Sequence, residues 1–338
     1  MNFKNLIGIS LLSFLTLASC KKSKEPTPPK YTDVYAVGLS TPYNNGLQLA
    51  TLWKNNVVNT IITSNLPGVA NAIVLQGNNV YMTTYSGQYN NQVNNYMSAC
   101  WKNGQAILSA NGIMNSITVD GNDVYVAGMA NTGGVSYVGA YWKNGVVTLL
   151  NNGLVATQVN GIAVNNSGDV YVAGFGGGYS PGYWINAQFN YLFNSASQGG
   201  ESAIAIKDNN VYFAGGVDQN GVGLAAYWKN GLVTAIPLTN DASYATANAI
   251  ALDGNDVYLA GEARVNGIDV AAYWKNGVPT YFTNGIANAI AVNNGDVYVA
   301  GYTNGPNGRQ ATYWKNGIPV ILSKDSNSEI KGIAVITH

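Results

Sequence analysis

Seven tryptophans recur along this chain at nearly constant spacing, and no other residue type is distributed so regularly. Successive tryptophans are 40 to 48 residues apart, and six of them begin a Trp-Lys-Asn step. Asp-Val-Tyr or a close variant stands a short way before each one. A period of this length is typical of a fold built from structural repeats. The repeat positions are Trp53, Trp101, Trp142, Trp184, Trp228, Trp274 and Trp314.

One repeat, residues 287–322, predicts four short antiparallel strands, A to D. An apolar run (A) leads through Asn-Asn-Gly, which favours a turn, into a strand rich in β-branched residues and tyrosine (B). A polar, glycine-rich loop precedes strand C, and Asn316-Gly317 predicts a tight hairpin into strand D. Four strands per repeat of this length predict the blade of a β-propeller, and no sustained helical stripe competes.

The two ends of the repeat region complement each other. Residues 31–35 form a strand B with no strand A before it, and residues 331–336 form a strand A with no strand B after it. We therefore expect the C-terminal strand to pair with the first blade and to close a seven-bladed, all-β propeller over residues 31–338. The predicted blades are 31–63 with 330–337, then 69–110, 112–152, 158–194, 200–239, 246–284 and 286–323.

The N-terminus has the features of a targeting signal. An apolar run too short to span a bilayer ends in Leu-Ala-Ser-Cys at Cys20. This order resembles a bacterial lipobox, which implies a signal peptide over 1–19, acylation of Cys20 and a membrane anchor in the Gram-negative envelope. We expect the outer membrane, on its periplasmic side or at the cell surface; an ordinary secretory signal is the alternative. Residues 20–30, with three prolines, predict an extended tether.

Two strings of the repeat resemble known families. Residues 161–174, Gly-Ile-Ala-Val-Asn-Asn-Ser-Gly-Asp-Val-Tyr-Val-Ala-Gly, are similar to NHL-type and bacterial SBBP-type propeller repeats. Ala-Tyr-Trp-Lys-Asn-Gly resembles HAF-type extracellular repeats. The resemblance covers 31–338 and implies a propeller, which is a fold that hosts many tasks.

Composition excludes several classes of function. Charged residues make up 9% of the chain, with 16 basic and 16 acidic side chains and no basic stripe, so we expect no nucleic-acid partner. The only histidine is His338, the last residue, which argues against a histidine-dependent triad and a zinc site. We expect a monomer with no metal, no cofactor and no enzymatic activity.

Function is expected in the B–C and D–A loops, which vary between repeats and share the upper face of the predicted propeller. Three non-repeated charges, Glu262, Arg264 and Arg309, fall in adjacent loops there. A polar residue opens strand A in every repeat, and these residues are expected to converge near the central channel. They would bind a polar ligand such as a sugar, or bond locally to the backbone. The seven positions are Asn71, Asn115, Asn160, Ser202, Asn248, Asn288 and Lys331. The accompanying aromatic residues are Tyr43, Tyr85, Tyr89, Tyr96, Phe175, Tyr179 and Tyr302.

The sequence favours non-enzymatic binding of a glycan or a protein. One alternative is a polysaccharide lyase or hydrolase that uses Glu262, Arg264 and Asp269, provided that its carboxylates converge. Another is a scaffold within an envelope complex.

The tether joins at the lower face, which we expect to face the membrane. Six lysines of the C–D turns are expected on this face. They either attract anionic head groups or only keep the surface soluble. They are Lys54, Lys102, Lys143, Lys229, Lys275 and Lys315.

Overall fold

The computed structural model describes the chain from residue 30 onwards, with short gaps. The described ranges are 30–41, 46–62, 66–90, 93–133, 137–151, 158–177, 180–192, 199–323 and 327–338. Cys20, the predicted signal peptide and most of the tether lie outside them, as do Tyr43 and Tyr179. The side chains of Tyr89 and Ser202 are also outside the described part. Thr32–His338 forms one compact unit.

The described chain is all-β and antiparallel, as the sequence predicts, and contains no α-helix. No helix of the described residues is long and apolar enough to cross a membrane. The strands are β1 (Thr32–Ser40), β2 (Leu49–Lys54), β3 (Val57–Ile62), β4 (Gly68–Gln76), β5 (Asn79–Asn90), β6 (Val93–Lys102), β7 (Gln105–Asp120), β8 (Asp123–Asn131), β9 (Tyr137–Lys143), β10 (Val146–Leu149), β11 (Gln158–Val164), β12 (Val170–Gly176), β13 (Ser180–Ile185), β14 (Gln188–Tyr191), β15 (Gly199–Lys207), β16 (Asn210–Gln219), β17 (Val222–Lys229), β18 (Leu232–Ala235), β19 (Ala242–Asp253), β20 (Asp256–Val265), β21 (Ile268–Lys275), β22 (Val278–Asn293), β23 (Asp296–Gly305), β24 (Gly308–Lys315), β25 (Ile318–Ile321) and β26 (Glu329–Thr337).

The strands pair into five sheets, whereas the blade prediction requires seven. The difference arises because β7 and β22 each run without interruption from the outer strand of one repeat into the inner strand of the next. Gly112 and Gly285 lie in these passages with φ of 140° and 158°. A side chain at Gly112 would also collide with the carbonyl oxygen of Met129. Counted by repeat, the chain still forms units of four strands, numbered 1 to 7 below in chain order.

The C-terminal strand completes unit 1. β26 pairs antiparallel with β1 from Thr32 opposite Thr337 to Leu39 opposite Glu329, which confirms the predicted pairing. This pairing buries Ile330 completely. β26 also packs against β22 of unit 7 and β4 of unit 2, so the end of the chain lies between its last and first repeats.

The core is divided between units. Among the described residues, buried apolar side chains form seven clusters, each with residues of two neighbouring units; six contain a buried tryptophan, and the partly buried Trp101 packs against the seventh. Trp314 of unit 7, for example, packs with Tyr258 and Ala260 of unit 6. Burying a tryptophan stabilises a fold by about 3–5 kcal/mol relative to alanine. The tryptophans therefore form part of the apolar layer between repeats.

Each unit places its two tight hairpin turns at one end of its sheet, which we call the lower face; the opposite end is the upper face. Like turns of neighbouring units touch. Gln76 Nε2 donates to Gly121 O at 2.8 Å between units 2 and 3. Asn293 Nδ2 donates to Thr337 Oγ1 at 2.7 Å between units 7 and 1. The lower turns of these units therefore share one surface.

Candidate functional site

A bulge interrupts the pairing of the inner strand at the equivalent position in every unit, and unit 6 has a second one at Ser243. At each bulge an extra residue of the inner strand faces no single partner on the next strand, and a bulge re-aims the side chain that it carries. The seven polar residues that were predicted to open strand A instead lie within the inner strands, at these bulges. We call them the bulge ring: Asn71, Asn115, Asn160, Ser202, Asn248, Asn288 and Lys331.

Four asparagines of the bulge ring bond to the following unit. Asn71 Nδ2 donates to Met114 O at 2.9 Å, and Asn115 Nδ2 donates to Val159 O at 2.8 Å. Asn248 makes the same bond to the carbonyl oxygen just before the next bulge at 3.0 Å, and Asn288 makes it at 2.8 Å. The amide nitrogens therefore link units. This is the local backbone bonding expected as the alternative to ligand binding, made here between repeats.

An open cavity of about 800 Å³ lies at the upper face and is bounded by part of the bulge ring. Five of the seven ring residues line it; Asn248 does not, and the side chain of Ser202 is outside the described part of the chain. Two glutamines and two aromatic rings predicted from the sequence, Tyr85 and Phe175, contribute to the wall. The polar and aromatic lining consists of Gln48, Asn71, Tyr85, Asn115, Gln158, Asn160, Phe175, Asn288 and Lys331.

Tyr85 is held in place by other rings. Its ring meets Tyr96 edge-on with centroids 5.6 Å apart, and Tyr96 lies 6.2 Å from Tyr137. Burial and then the nearby Tyr96 raise the pKa of Tyr85, so its hydroxyl stays protonated and can both donate and accept hydrogen bonds. Such a supported aromatic ring at a cavity wall is suited to stacking on an apolar ligand face.

The buried carboxylate of Glu329, next to the cavity, was not predicted from the sequence. Glu329 is 5% exposed and accepts at Oε1 from Asn288 Nδ2 at 2.8 Å and from Lys331 Nζ at 2.7 Å. Its Oε2 accepts from Arg309 at 3.2 Å. Two cations and one amide thus compensate the cost of burying this charge. Arg309 also lies over the ring of Tyr302, 4.5 Å from its centroid. The sequence signal was weak because Glu329 stands outside the repeated strings.

The second predicted charge group lies on unit 6. Arg264 opposes Asp269 across β20 and β21 and binds it with two hydrogen bonds, of 2.7 and 3.0 Å. Glu262 is two residues before Arg264 on the same strand, so the three side chains share one face of the sheet. Asp269 is a diagonal neighbour of Glu262, and the Cβ atoms of such pairs lie about 7–8 Å apart or somewhat less.

The two carboxyl groups of this cluster differ in their electrostatic environment. Burial, and then the charge of Asp269, raise the pKa of Glu262. The hydrogen bonds from Arg264 lower the pKa of Asp269. Two carboxyl groups with pKa values shifted in opposite directions are typical of an acid paired with a base or nucleophile. Burial raises the pKa of the neighbouring Tyr244, with the charge of Glu262 as the next cause.

The lysines of the lower face are engaged within their own units. Lys315 Nζ lies 2.9 Å from Asp296 and 5.4 Å from the ring centroid of Tyr298. Lys54, Lys143 and Lys275 repeat this ion pair at 2.8–2.9 Å. Lys102 and Lys229 lie over the rings of the equivalent tyrosines. Four of the six lysines are thus paired with an aspartate, which leaves the lower face little free positive charge.

The aspartates of the lower turns are bonded within their own units. Among the described residues, no three His, Cys, Asp or Glu side chains lie close enough together to hold a metal ion. The repeated aspartates instead accept from the hairpin asparagines, as Asp296 does from Asn316 at 2.7 Å. These bonds belong to the turns.

No protein-family model matches the chain, and no curated protein is similar to it. Among solved structures, the acylaminoacyl peptidase of Pyrococcus horikoshii is similar over 87% of this chain at 11% identity and a TM-score of 0.50. This chain spans 51% of the length of that peptidase. An ulvan lyase, from a new family of polysaccharide lyases, is similar over 76% of this chain and 82% of its own at 10% identity and a TM-score of 0.47. A protein of unknown function from Bacteroides caccae is similar over 90% of this chain and 99% of its own, at 10% identity and a TM-score of 0.46.

The prediction that this chain is not an enzyme is contradicted by these comparisons. The similar structures include polysaccharide lyases, a sialidase and an α-L-arabinofuranosidase, at 10–14% identity. The prediction depended on the lack of a histidine within the repeats. Carboxylates and tyrosines also act as general acids and bases, and the structure brings Glu262, Asp269 and Tyr244 close to one another on unit 6. The missing histidine therefore does not exclude catalysis.

Proposed function

We propose that the seven units are the blades of a seven-bladed propeller formed by one monomeric chain, and that the cavity at its upper face binds a carbohydrate. The pairing of β26 with β1 of unit 1 and its packing against β22 of unit 7 support the closed ring. The observation that carries the ligand class is the wall of the cavity, which combines amides, one cation and two aromatic rings around about 800 Å³. Sugars present hydroxyl groups and apolar ring faces, which such walls recognise.

The bulge ring limits how the sugar is held. The amide nitrogens of Asn71, Asn115 and Asn288 are bonded to the next unit, so the ring offers a ligand mainly its amide oxygens, which accept hydroxyl protons. Gln158 and Lys331 add donors. Phe175 supplies a ring face. A neutral or acidic sugar satisfies this arrangement, whereas an apolar ligand leaves the amides unpaired.

Binding of the purified mature chain to a glycan array tests this proposal. We expect Phe175→Ala and Gln158→Ala to weaken binding of the selected glycan about tenfold, the effect of losing about 1.4 kcal/mol. Gln219→Ala is the matched control, because Gln219 is an exposed glutamine at the end of β16 and does not line the cavity. Unchanged affinity in both cavity variants would contradict the site. A wild-type chain that binds no glycan would favour a protein ligand or a scaffold role.

A second candidate function, cleavage of a polysaccharide, is favoured by Glu262. Its raised pKa suits a proton donor, and the low pKa of Asp269 suits a base or nucleophile. Their spacing on β20 and β21 is compatible with the separation of about 5–9.5 Å between the carboxyl groups of glycosidases. Release of reducing ends would report hydrolysis, and unsaturated products would report elimination. Activity that survives both Glu262→Gln and Asp269→Asn would rule out this pair.

We propose further that acylated Cys20 anchors the chain in the outer membrane. The support is the order of the leader: one basic residue, an apolar run and Leu-Ala-Ser-Cys. More than one acyl chain is needed for stable attachment. Mass spectrometry of the mature N-terminus should find a lipid-modified cysteine, and Cys20→Ala should leave the chain uncleaved. Separation of inner and outer membranes, followed by protease treatment of whole cells, would give its location.

A further inference from the structure

Large aliphatic side chains are exposed at one position of the repeat, the residue that follows the second hairpin turn of a unit. This residue opens the outer strand, directly after the Trp-Lys-Asn-Gly string or its variant. Five of the seven units carry Val, Leu or Ile there, each about two-thirds exposed or more; units 2 and 4 carry glutamine. The aliphatic residues are Val57 (66% exposed), Val146 (72%), Leu232 (78%), Val278 (68%) and Ile318 (69%), and we call them the aliphatic ring.

The aliphatic ring belongs to the lower face. Each member adjoins the turn between the third and fourth strands of its unit, and the turn of unit 1 is bonded to a strand of unit 7. Tyr313 Oη of unit 7 donates to Asn56 Oδ1, in the turn just before Val57, at 2.9 Å. The same repeat position in each unit has the same depth along its sheet. The five exposed side chains therefore occupy equivalent positions beside the lower turns.

Electrostatics contributes little to this face, because four of the five lysines beside the aliphatic ring are paired with an aspartate. Lys143 and Lys275 neighbour Val146 and Val278 in sequence, and each binds an aspartate of its own unit. The aliphatic ring therefore adds exposed apolar groups to a face whose charges are largely neutralised. A single protein partner would have to contact five separate repeats through equivalent side chains. A membrane surface is the same in every lateral direction, so it can contact all five side chains at once.

The tether brings such a surface within reach. β1 begins at Thr32 on the lower face, where Asn55 N donates to Val34 O at 2.9 Å. The eleven residues from Cys20 to Lys30 reach at most roughly 35 Å. We propose that the lower face docks on the lipid bilayer, with the aliphatic ring inserted at the level of the head groups; the inference rests on the proposed anchor at Cys20. Docking would hold the upper cavity away from the membrane.

Fluorescence quenching in vesicles tests the docking. The mature acylated chain is placed in vesicles of phosphatidylethanolamine and phosphatidylglycerol, with a polarity-sensitive label on Gln105→Cys at the lower face or on Gln219→Cys at the upper end of unit 5. Cys100 does not compete for the label, because it is buried and burial raises the pKa of its thiol to about 12. We expect a blue shift and quenching by head-group spin-labelled lipid at 105 only. Equal signals at both positions would overturn docking.

A matched variant replaces all five aliphatic residues by glutamine, the native residue of this position at Gln105 and Gln188. We expect the label at 105 to lose its blue shift and its excess quenching, while the melting temperature is unchanged. A signal that persists in this variant overturns the role of the aliphatic ring. A signal that rises with protein density at constant lipid composition indicates contact between copies and also overturns docking. Mass spectrometry separates the two proposals: an unmodified Cys20 removes the anchor and the docking together, whereas equal quenching of an acylated chain removes only the docking.

Discussion

Asparagine is used at both faces of this molecule, for different purposes. At the lower face, Asn316 has φ of 49°, accepts from Val297 N at 2.8 Å and donates to Asp296 at 2.7 Å, all within one unit. At the upper face, Asn288 donates across to Ile330 O of the next unit at 2.8 Å. The lower asparagines stabilise single units, and the bulge asparagines join units together. A repeat needs both kinds of bond to form one domain.

If bonds between units hold the domain together, the largest loss of stability should come from removing the strand that joins the two ends of the chain. Deletion of residues 329–338 removes the whole inner strand of unit 1, including the buried Ile330 and Glu329. We expect a loss of more than about 5 kcal/mol, which consumes most of the stability of a typical domain. Chemical denaturation and size-exclusion chromatography would measure it. A synthetic peptide of the deleted residues, added in trans, should restore folding; a truncated chain that melts like the wild type would contradict the closure.

A local change at the lower face should rank second. Asn316→Ala removes the cap on Val297 N and puts a non-glycine, non-asparagine residue at positive φ. We expect a loss of about 2 kcal/mol, which lowers the melting temperature by about 4–8 °C. Asn316→Gly separates the two causes, since glycine tolerates the backbone and should lose only about half as much. Equal losses for alanine and glycine would show that the backbone conformation contributes nothing.

The equivalent change at the upper face should cost less and act differently. Asn288→Ala removes one bond to Ile330 O and one to Glu329, at a cost of about 1 kcal/mol. Because this bond joins unit 7 to unit 1, we expect hydrogen exchange to increase in β26 as well as in unit 7. In Asn316→Ala the increase should stay within unit 7. Identical exchange patterns for the two variants would erase the distinction between the two faces.

The ion pairs of the lower face should contribute least to stability. Asp296→Asn abolishes the pair with Lys315 but keeps an acceptor for Asn316. Units 2 and 5 carry this change naturally, with Asn79 and Asn210 accepting from their hairpin asparagines at 2.8 Å. We expect the melting temperature to change by less than about 2 °C. A larger drop would show that the lysine pairs are structural and not only solvated charges.

The sequence predicted correctly those features of the fold that recur in several repeats. Strand order, hairpin positions and the recurring polar residue of strand A all followed from comparing repeats, whereas the bulges that carry this residue did not. The uninterrupted β7 and β22 did not, because Asn-Gly at 111–112 favours a turn and glycine also permits an extended passage with positive φ. Glu329 was missed because it occurs once and its partners, Asn288 and Arg309, come from another unit. Contacts between units depend on packing that no single repeat encodes.

The smallest expected effect is a gain in stability, which should come from replacing Glu262. Burial raises the pKa of Glu262 above its unfolded value, so its favourable contribution is present below about pH 4 and is lost as pH rises through the folded pKa. Glu262→Gln should therefore leave stability unchanged at acidic pH and raise the melting temperature slightly at neutral pH. Asp269→Asn is the matched control of opposite sign, because Arg264 lowers the pKa of Asp269 and its stabilisation is present at neutral pH. Melting curves across pH would test both variants. A residue whose removal stabilises the fold is a sign of selection for function, and a destabilised Glu262→Gln variant would instead assign this carboxyl group to structure.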